Sequence, residues 1–434
     1  MAFIADNISV NAEGHLTFAG QDTTELAARF GTPVYLMDEE RIRHNCRTYT
    51  EAFRKHFKEG SRVIYASKAC SFKEMYRITK SEGMFTEVVS SGELATALAA
   101  GVPACDIVFH GSAKTDFDIR YGVESGVGIF AVDNRDELGA LEAEAAKHGL
   151  VQNIIIRVTP GIDPHTYEAI STGKVDSKFG VAIETGQAEA LAVEAAAMPH
   201  IGLVGFHCHV GSEVFGEDVF ERTATVMLNF LAEMHHRHGI TAKVLDLGGG
   251  YGVRYVESDP TLDIAEKIAS VASVVKSECA RLDFPEPEIW MEPGRSIAAD
   301  AGMTLYTVGS RKDITGIKTY VAIDGGMADN PRYALYGARY TVLPASRANE
   351  TCDMVCTLAG RCCESGDMIQ ENIKLPAGTK RGDIIAVCTT GAYNFSMSSN
   401  YNRLPRPAVV MLNAGTARVA VKAETFEDLY RLDV

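Results

Sequence analysis

No stretch of this 434-residue chain comes near the ~20 consecutive apolar residues that a membrane-spanning helix needs. Its first residues, MAFIADNISVNAEGH, have neither the basic flank nor the apolar core of an export signal, so none is expected. Ten cysteines form no CxxC pair and no regular framework, and the expectation is reduced thiols in a cytoplasm. Basic charge is in deficit. Lys and Arg total 42 against 57 Asp and Glu, for a net −15. Nucleic acid and anionic membrane are therefore excluded as main partners, and any basic groups that matter should line a local pocket for anionic groups of a small molecule. There is no low-complexity segment and no internal repeat beyond the rhythm described next. What remains is an ordinary globular composition, long enough for two or three domains with full cores.

From about residue 36 short apolar runs alternate with helical spacing. The runs are 63–67, 85–89, 106–109, 128–132, 154–158, 201–206, 244–247 and 288–291, and segments such as 134–148 and 220–238 carry the helical spacing. Eight such alternations predict an α/β fold, a (β/α)8 barrel of the TIM type over residues 36–300. After residue 300 strand-like runs at 304–310, 319–323, 381–388 and 417–421 are separated by Gly/Pro turns. They predict a C-terminal mostly-β domain over 301–434. The strand-like residues 1–35, with a short helix near 25–30, should join it, because a closed barrel has no free edge to offer them.

Polar groups stand where the runs stop. Lys68 follows the first, Ser90-Ser91-Gly92 the second, His110-Gly111 the third and Asp133-Asn134 the fourth. Arg157 lies in the fifth, His207 and His209 follow the sixth, Gly248–Gly250 the seventh and Glu292 the eighth. In this barrel all strand ends of one sense share one mouth, so residues more than 200 positions apart should converge there.

The chemistry of the convergent groups is specific. A lysine held against apolar walls has a lowered pKa and can form an imine, which is the reading of Lys68. LDLGGGYG (245–252) lets backbone N–H groups approach a phosphate closely. In MEPGRS (291–296) Gly294 can complete that cup, Arg295 adds an anion fork, and Glu292 can keep a pyridine nitrogen protonated. In HCHVGS (207–212) no third ligand stands at a useful spacing, so no metal is expected; His209 can stack on an aromatic cofactor and Ser212 can donate to phosphate. GRCCESGD (360–367) offers a thiol beside a carboxylate as an acid–base group, GAYNFSMSSNYN (391–402) offers Tyr393 to a phosphate, and Arg332 with Tyr336 could hold a carboxylate. These groups suit pyridoxal 5′-phosphate around the Lys68 amine.

YASKA, SSGELATALAAG, HGSAK, RVTPGIDPHTYEAISTGKVDSKFG, HCHVGS, LDLGGGYG, EPGRS, GRCCESGD and GAYNFSMSSNYN, in this order and spacing, closely resemble the diaminopimelate decarboxylase family. These are fold type III pyridoxal-phosphate enzymes of lysine biosynthesis, and the resemblance runs from about residue 30 to 412. It implies an alanine-racemase-like barrel, a β domain and a head-to-tail homodimer. It implies that Lys68 carries the cofactor, His209 stacks on its ring, and Glu292 meets its ring nitrogen. Ser212, Gly249, Gly250, Gly294 and Tyr393 fall to the phosphate site. Arg295, Arg332, Tyr336 and Tyr393 fall to substrate binding. Cys363 is implied as proton donor and Glu364 as the partner of the substrate amine, both reaching the site from the other protomer. The family usually has proline where Arg361 stands.

The implied reaction is decarboxylation of meso-2,6-diaminopimelate to L-lysine. Alanine racemase shares the barrel but sets an arginine against the ring nitrogen, and Glu292 speaks against it. Ornithine, D-amino-acid and carboxynorspermidine decarboxylases share Lys68 and Cys363 but handle a distal end that does not need Arg332. A non-catalytic cofactor carrier would keep Lys68 and the glycines but has no use for Cys363 and Glu364.

Overall fold

A computed structural model describes residues 3–162, 177–216 and 218–434. Part of the RVTPGIDPHTYEAISTGKVDSKFG segment, residues 163–176, lies outside the described residues. The chain folds as two compact units, one of Arg43–Gly252 with Leu262–Ser296, the other of Met1–Ile42 with Val253–Thr261 and Ile297–Val434.

The first unit is a closed parallel barrel. Its strands are Arg62–Ala66, Phe85–Val88, Ile107–Phe109, Ile129–Val132, Gln152–Thr159, Ile201–His207, Val244–Asp246 and Glu288–Met291. Each pairs in parallel with the next, and the eighth closes on the first through Trp290↔Arg62 and Met291↔Val63. The strands are rich in Ile, Val and Phe and almost wholly buried, as strands covered on both faces must be. Ile64, Val108, Ala131, Ile155, Val244 and Trp290, from six different strands, form one buried cluster. A short extra strand, Val181–Ala182, pairs on the fifth strand outside the ring of eight.

Local signals set where the helices begin and end. Ser90 and Asn134 accept hydrogen bonds from the N–H groups of Glu93 and Glu137, opening Ser91–Ala99 and Arg135–His148. Arg135–His148 then stops at Gly149 in the left-handed conformation.

The second unit is built on a mixed sheet. Its order is Met368–Leu375, Met354–Ala359, Lys318–Ile323, Gly302–Ile314, Val34–Asp38, Ala408–Asn413, Thr416–Val421. Val34–Asp38 lies antiparallel to Gly302–Ile314 and parallel to Ala408–Asn413. This strand therefore runs across the boundary expected at residue 36, because its five buried residues find their partners beyond residue 300. The N-terminal meander of Ile8–Val10, Leu16–Phe18 and Gln21–Asp22 packs Ile8, Leu16 and Phe18 against Val34, Leu36, Met303, Leu305 and Val410 of that sheet.

One buried acid makes this unit sensitive to pH. The Asp329 carboxyl accepts hydrogen bonds from Tyr306 Oη (2.7 Å) and the Gly326 N–H (3.1 Å). Burial pushes its pKa from 3.8 up to about 7. Its folded-state pKa is thus raised, so its contribution is complete below about pH 4 and is lost as pH rises through about 7. The loss is of order 4 kcal/mol. Asp329→Asn, which stays neutral, should lose less stability than the parent between pH 5 and pH 8. Urea midpoints at the two pH values measure this; equal losses in both proteins would contradict it.

Candidate active site

The first barrel strand ends in a tight turn, Ser67–Ala69, that carries Lys68. The Ala66 N–H donates to the Pro293 carbonyl at 3.1 Å, which ties this turn to the exit of the eighth strand. Lys68 Nζ donates to Glu87 Oε1 at 2.5 Å. Glu87 stands on the second strand and is fully buried. Where apolar walls were expected around Lys68, the structure places a buried acidic side chain beside the amine. That same carboxylate is placed to take a proton from Nζ when the amine must act as a nucleophile. Glu87 was not anticipated from the sequence. Its one signal is an acid inside the otherwise uncharged run Phe-Thr-Glu-Val.

Glu292 leaves the eighth strand and is also buried. Its Oε1 lies 2.7 Å from His110 Nε2 and its Oε2 lies 3.2 Å from His207 Nε2. Burial alone would raise its pKa, but the two imidazoles outweigh burial and hold the carboxyl well below the usual range. Asp246, at the end of the seventh strand, goes the other way: burial first, and then Glu292, push it well above the usual carboxyl range. Burial drives His207 down to about 3, so its imidazole is neutral. His110, His207, Asp246 and Glu292 each direct one ligating atom into a group less than 4.8 Å across. Sequence spacing paired His207 with His209 and offered no third ligand; in the structure the groups beside His207 come from three other strands, and His209 is not among them.

Three segments press together beside Glu292. A Cβ on Gly249 would stand 2.1 Å from the Glu292 carbonyl oxygen, and one on Gly250 (φ +126°) 2.0 Å from that of Gly211. Only glycine lets these backbones approach so closely. The Gly249 N–H donates to His209 Nδ1 at 3.3 Å, which leaves the proton of the neutral ring on Nε2. Burial and then the Lys68 charge hold the His209 pKa well below its ordinary value. Ser212 Oγ accepts from Arg295 Nη2 at 3.0 Å, and Arg295 Nε pairs with Glu213 at 2.8 Å. Gly294 lies beside Ala66 and Ala69. Lys68, His209, Ser212, Gly249, Gly250, Glu292, Gly294 and Arg295 thus all stand at strand exits of the barrel unit.

The remaining expected residues belong to the other unit. Arg332 opens the short helix Arg332–Tyr336 and is buried, which sets aside an exposed arginine. Its Nη1 donates to Tyr340 Oη (3.0 Å) and Tyr255 Oη (3.2 Å), and its guanidinium carbon lies 5.9 Å from the centre of the Tyr393 ring. Tyr393 holds a left-handed φ of +60°, a conformation that costs a non-glycine residue energy. Tyr336, at the far end of the helix, is partly exposed.

Cys363 and Glu364 stand on an exposed loop. The buried Asp367 carboxylate shapes it by accepting the N–H groups of Met327 and Cys362, both at 2.6 Å. The Cys363 N–H donates to Asn402 Oδ1 at 2.6 Å. Of the two adjacent thiols, Cys362 is buried, and burial pushes its pKa up to about 12; Cys363 is exposed.

Residues 39–299 match the family model described as pyridoxal-dependent decarboxylase, pyridoxal binding domain. Diaminopimelate decarboxylase of Bacillus subtilis (strain 168) is 44% identical over 426 residues, covering 98% of this chain and 96% of that protein. The enzyme of that name from Staphylococcus aureus (strain COL) is 42% identical, covering 97% and 98%. The chain belongs to the diaminopimelate decarboxylase family. A crystal structure of diaminopimelate decarboxylase from M. jannaschii in co-complex with L-lysine superposes with a TM-score of 0.90 at 33% identity, covering 99% of this chain and 98% of that one.

The family's cofactor, pyridoxal phosphate, fits what the barrel unit presents. Lys68 supplies an amine, Glu292 an ionised carboxylate, and Gly249 and Gly250 a backbone cradle that any side chain would fill. Among the described residues no helix is long and apolar enough to cross a membrane.

Proposed function

We propose that this chain decarboxylates meso-2,6-diaminopimelate, releasing CO2 and L-lysine, as the last step of lysine biosynthesis. The observation that carries the reaction type is the ionised Glu292 at the same barrel end as the Lys68 amine. The near full-length match to diaminopimelate decarboxylases carries the substrate.

Lys68 holds the cofactor, with Glu87 as the acceptor of its proton. His209 covers the ring. Ser212, Gly249, Gly250, Gly294 and Tyr393 hold the phosphate. Bound pyridoxal phosphate supplies an electron sink for the pair left behind when the carboxyl group departs as CO2. Glu292 keeps the ring nitrogen protonated, so that the sink is strong. Cys363 Sγ returns one proton to the α-carbon, which balances the loss. Arg295, Arg332, Tyr336 and Glu364 recognise the distal end, whose amine and carboxylate both need partners. Cys363 and Glu364 are contributed by the second protomer of a homodimer. The protein works in the cytoplasm.

Ornithine, D-amino-acid or carboxynorspermidine decarboxylation is the competing reading, and Arg332 separates the two. Removing a buried charged partner costs roughly 2–4 kcal/mol. Arg332→Ala should therefore lower kcat/KM for meso-diaminopimelate on the order of 30- to 1,000-fold. Turnover of ornithine by the parent protein, unchanged in this variant, would favour the competitor.

A further inference from the structure

The barrel interior beside the cofactor site is unusually polar. TIM-type barrels fill that space with branched apolar side chains. Here His110, His207, Asp246 and Glu292, from four different strands, bury their polar ends together, and the His110 and His207 rings meet edge to face at 4.7 Å. Arg157, Glu87 and Asp133 are further charged groups that act on this cluster. Burying two imidazoles and two carboxyl groups is costly unless each is satisfied, and an apolar filling would be cheaper. The grouping therefore calls for a purpose.

Lone pairs indicate that purpose. A carboxylate has about four acceptor positions. On Glu292, His110 Nε2 lies 2.7 Å from Oε1 and His207 Nε2 3.2 Å from Oε2, yet neither is aligned as a hydrogen bond. Asp246 lies in the same group, within 4.8 Å, while its own Oδ1 accepts the Gly248 N–H at 2.8 Å. Two carboxyl groups this close in a dry interior disfavour double ionisation; burial and Glu292 push Asp246 up, while the imidazoles hold Glu292 down. Two imidazoles and a carboxyl group thus crowd one carboxylate from three strands. They bear on its orientation and its charge, and no hydrogen bond from the described residues fills Oε1.

We propose that His110, His207 and Asp246 are positioning residues that hold Glu292 as an oriented carboxylate with an open acceptor position for the ring N–H of pyridoxal phosphate. This rests on the cofactor reading above. None of the three needs to touch substrate; each acts through Glu292. Loss of a histidine donor frees Glu292 to take up a proton, and a protonated Glu292 leaves the ring nitrogen neutral.

The test is the 15N resonance of the ring nitrogen in holoenzyme reconstituted with 15N-labelled pyridoxal phosphate, read without substrate. Wild type should show the pyridinium position. His110→Leu with His207→Leu should move the resonance to the neutral pyridine position. His110→Gln with His207→Gln, whose amide nitrogen falls where Nε2 stands, should keep it. His207→Asn is a polar replacement too short to reach Oε2 and should behave like the leucine variant; it serves where the double leucine variant does not fold. In the variants that shift, kcat should fall on the order of 10- to 100-fold, with KM little changed. A pyridinium resonance in folded His207→Asn, indistinguishable from wild type, overturns the positioning role and leaves the cofactor reading intact. A neutral nitrogen in wild type also overturns it. A wild-type protein that binds no pyridoxal phosphate overturns both.

Discussion

Lys68→Ala is expected to abolish CO2 release, with a loss of at least about 10⁴-fold, because no other group can replace the imine-forming amine. The purified variant should also lack the absorbance of covalently held cofactor. A second consequence follows from geometry. Lys68 Nζ sits 2.5 Å from Glu87, whose carboxylate is fully buried. Removing the amine leaves that charge without its cation, so Lys68→Ala should also destabilise the barrel by a few kcal/mol. Lys68→Ala with Glu87→Gln should recover most of the stability and none of the activity. If the double variant were as unstable as the single, Glu87 would owe nothing to Lys68. If Lys68→Ala kept substantial activity, another amine would have to carry the cofactor.

Cys363→Ala has the next largest expected effect, a fall in kcat of roughly 10²- to 10⁴-fold, as is typical for loss of a positioned proton donor. Cys362 should not substitute for it. Its thiol is buried and its pKa stands at about 12, whereas Cys363 is exposed. Cys362→Ala should therefore leave kcat within about threefold of wild type. The proposed homodimer adds a sharper test. If each site takes Lys68 from one protomer and Cys363 from the other, then equal amounts of inactive Lys68→Ala and Cys363→Ala, after subunit exchange, regain about a quarter of the wild-type activity, since half the dimers hold one complete site. No recovery would place both residues of a site on one chain.

The barrel was legible because each of its strands is a short buried run bounded by polar residues, and such runs recur eight times with helical spacing between them. The β unit was less legible. Met354–Ala359 and Met368–Leu375 mix polar, apolar and charged residues, and Ala408–Asn413 finds its parallel partner at Val34–Asp38, some 370 positions earlier. Runs of residues report local preference; they do not report which distant strand pairs with them.

The candidate site divides along the same line. Lys68, His209, Gly249 and Glu292 stand at strand ends beside recognisable neighbours, so their chemistry showed in sequence. Glu87 sits inside a strand, and Asp246 precedes the glycines as one residue of a run. Their roles come from which strands are adjacent in the closed ring. Charge alone likewise does not say that Arg332 is buried among Tyr255, Tyr340 and Tyr393.

The central claim is a carboxy-lyase that requires both ends of its substrate. Its most direct test offers the pyridoxal-phosphate-loaded protein meso-2,6-diaminopimelate, L-ornithine and L-lysine separately, and measures CO2 release and the amino product. The account predicts CO2 and L-lysine in equal amounts from meso-diaminopimelate, and at most traces of CO2 from the other two. Release from ornithine or lysine at a comparable rate, or none from meso-diaminopimelate, would contradict it.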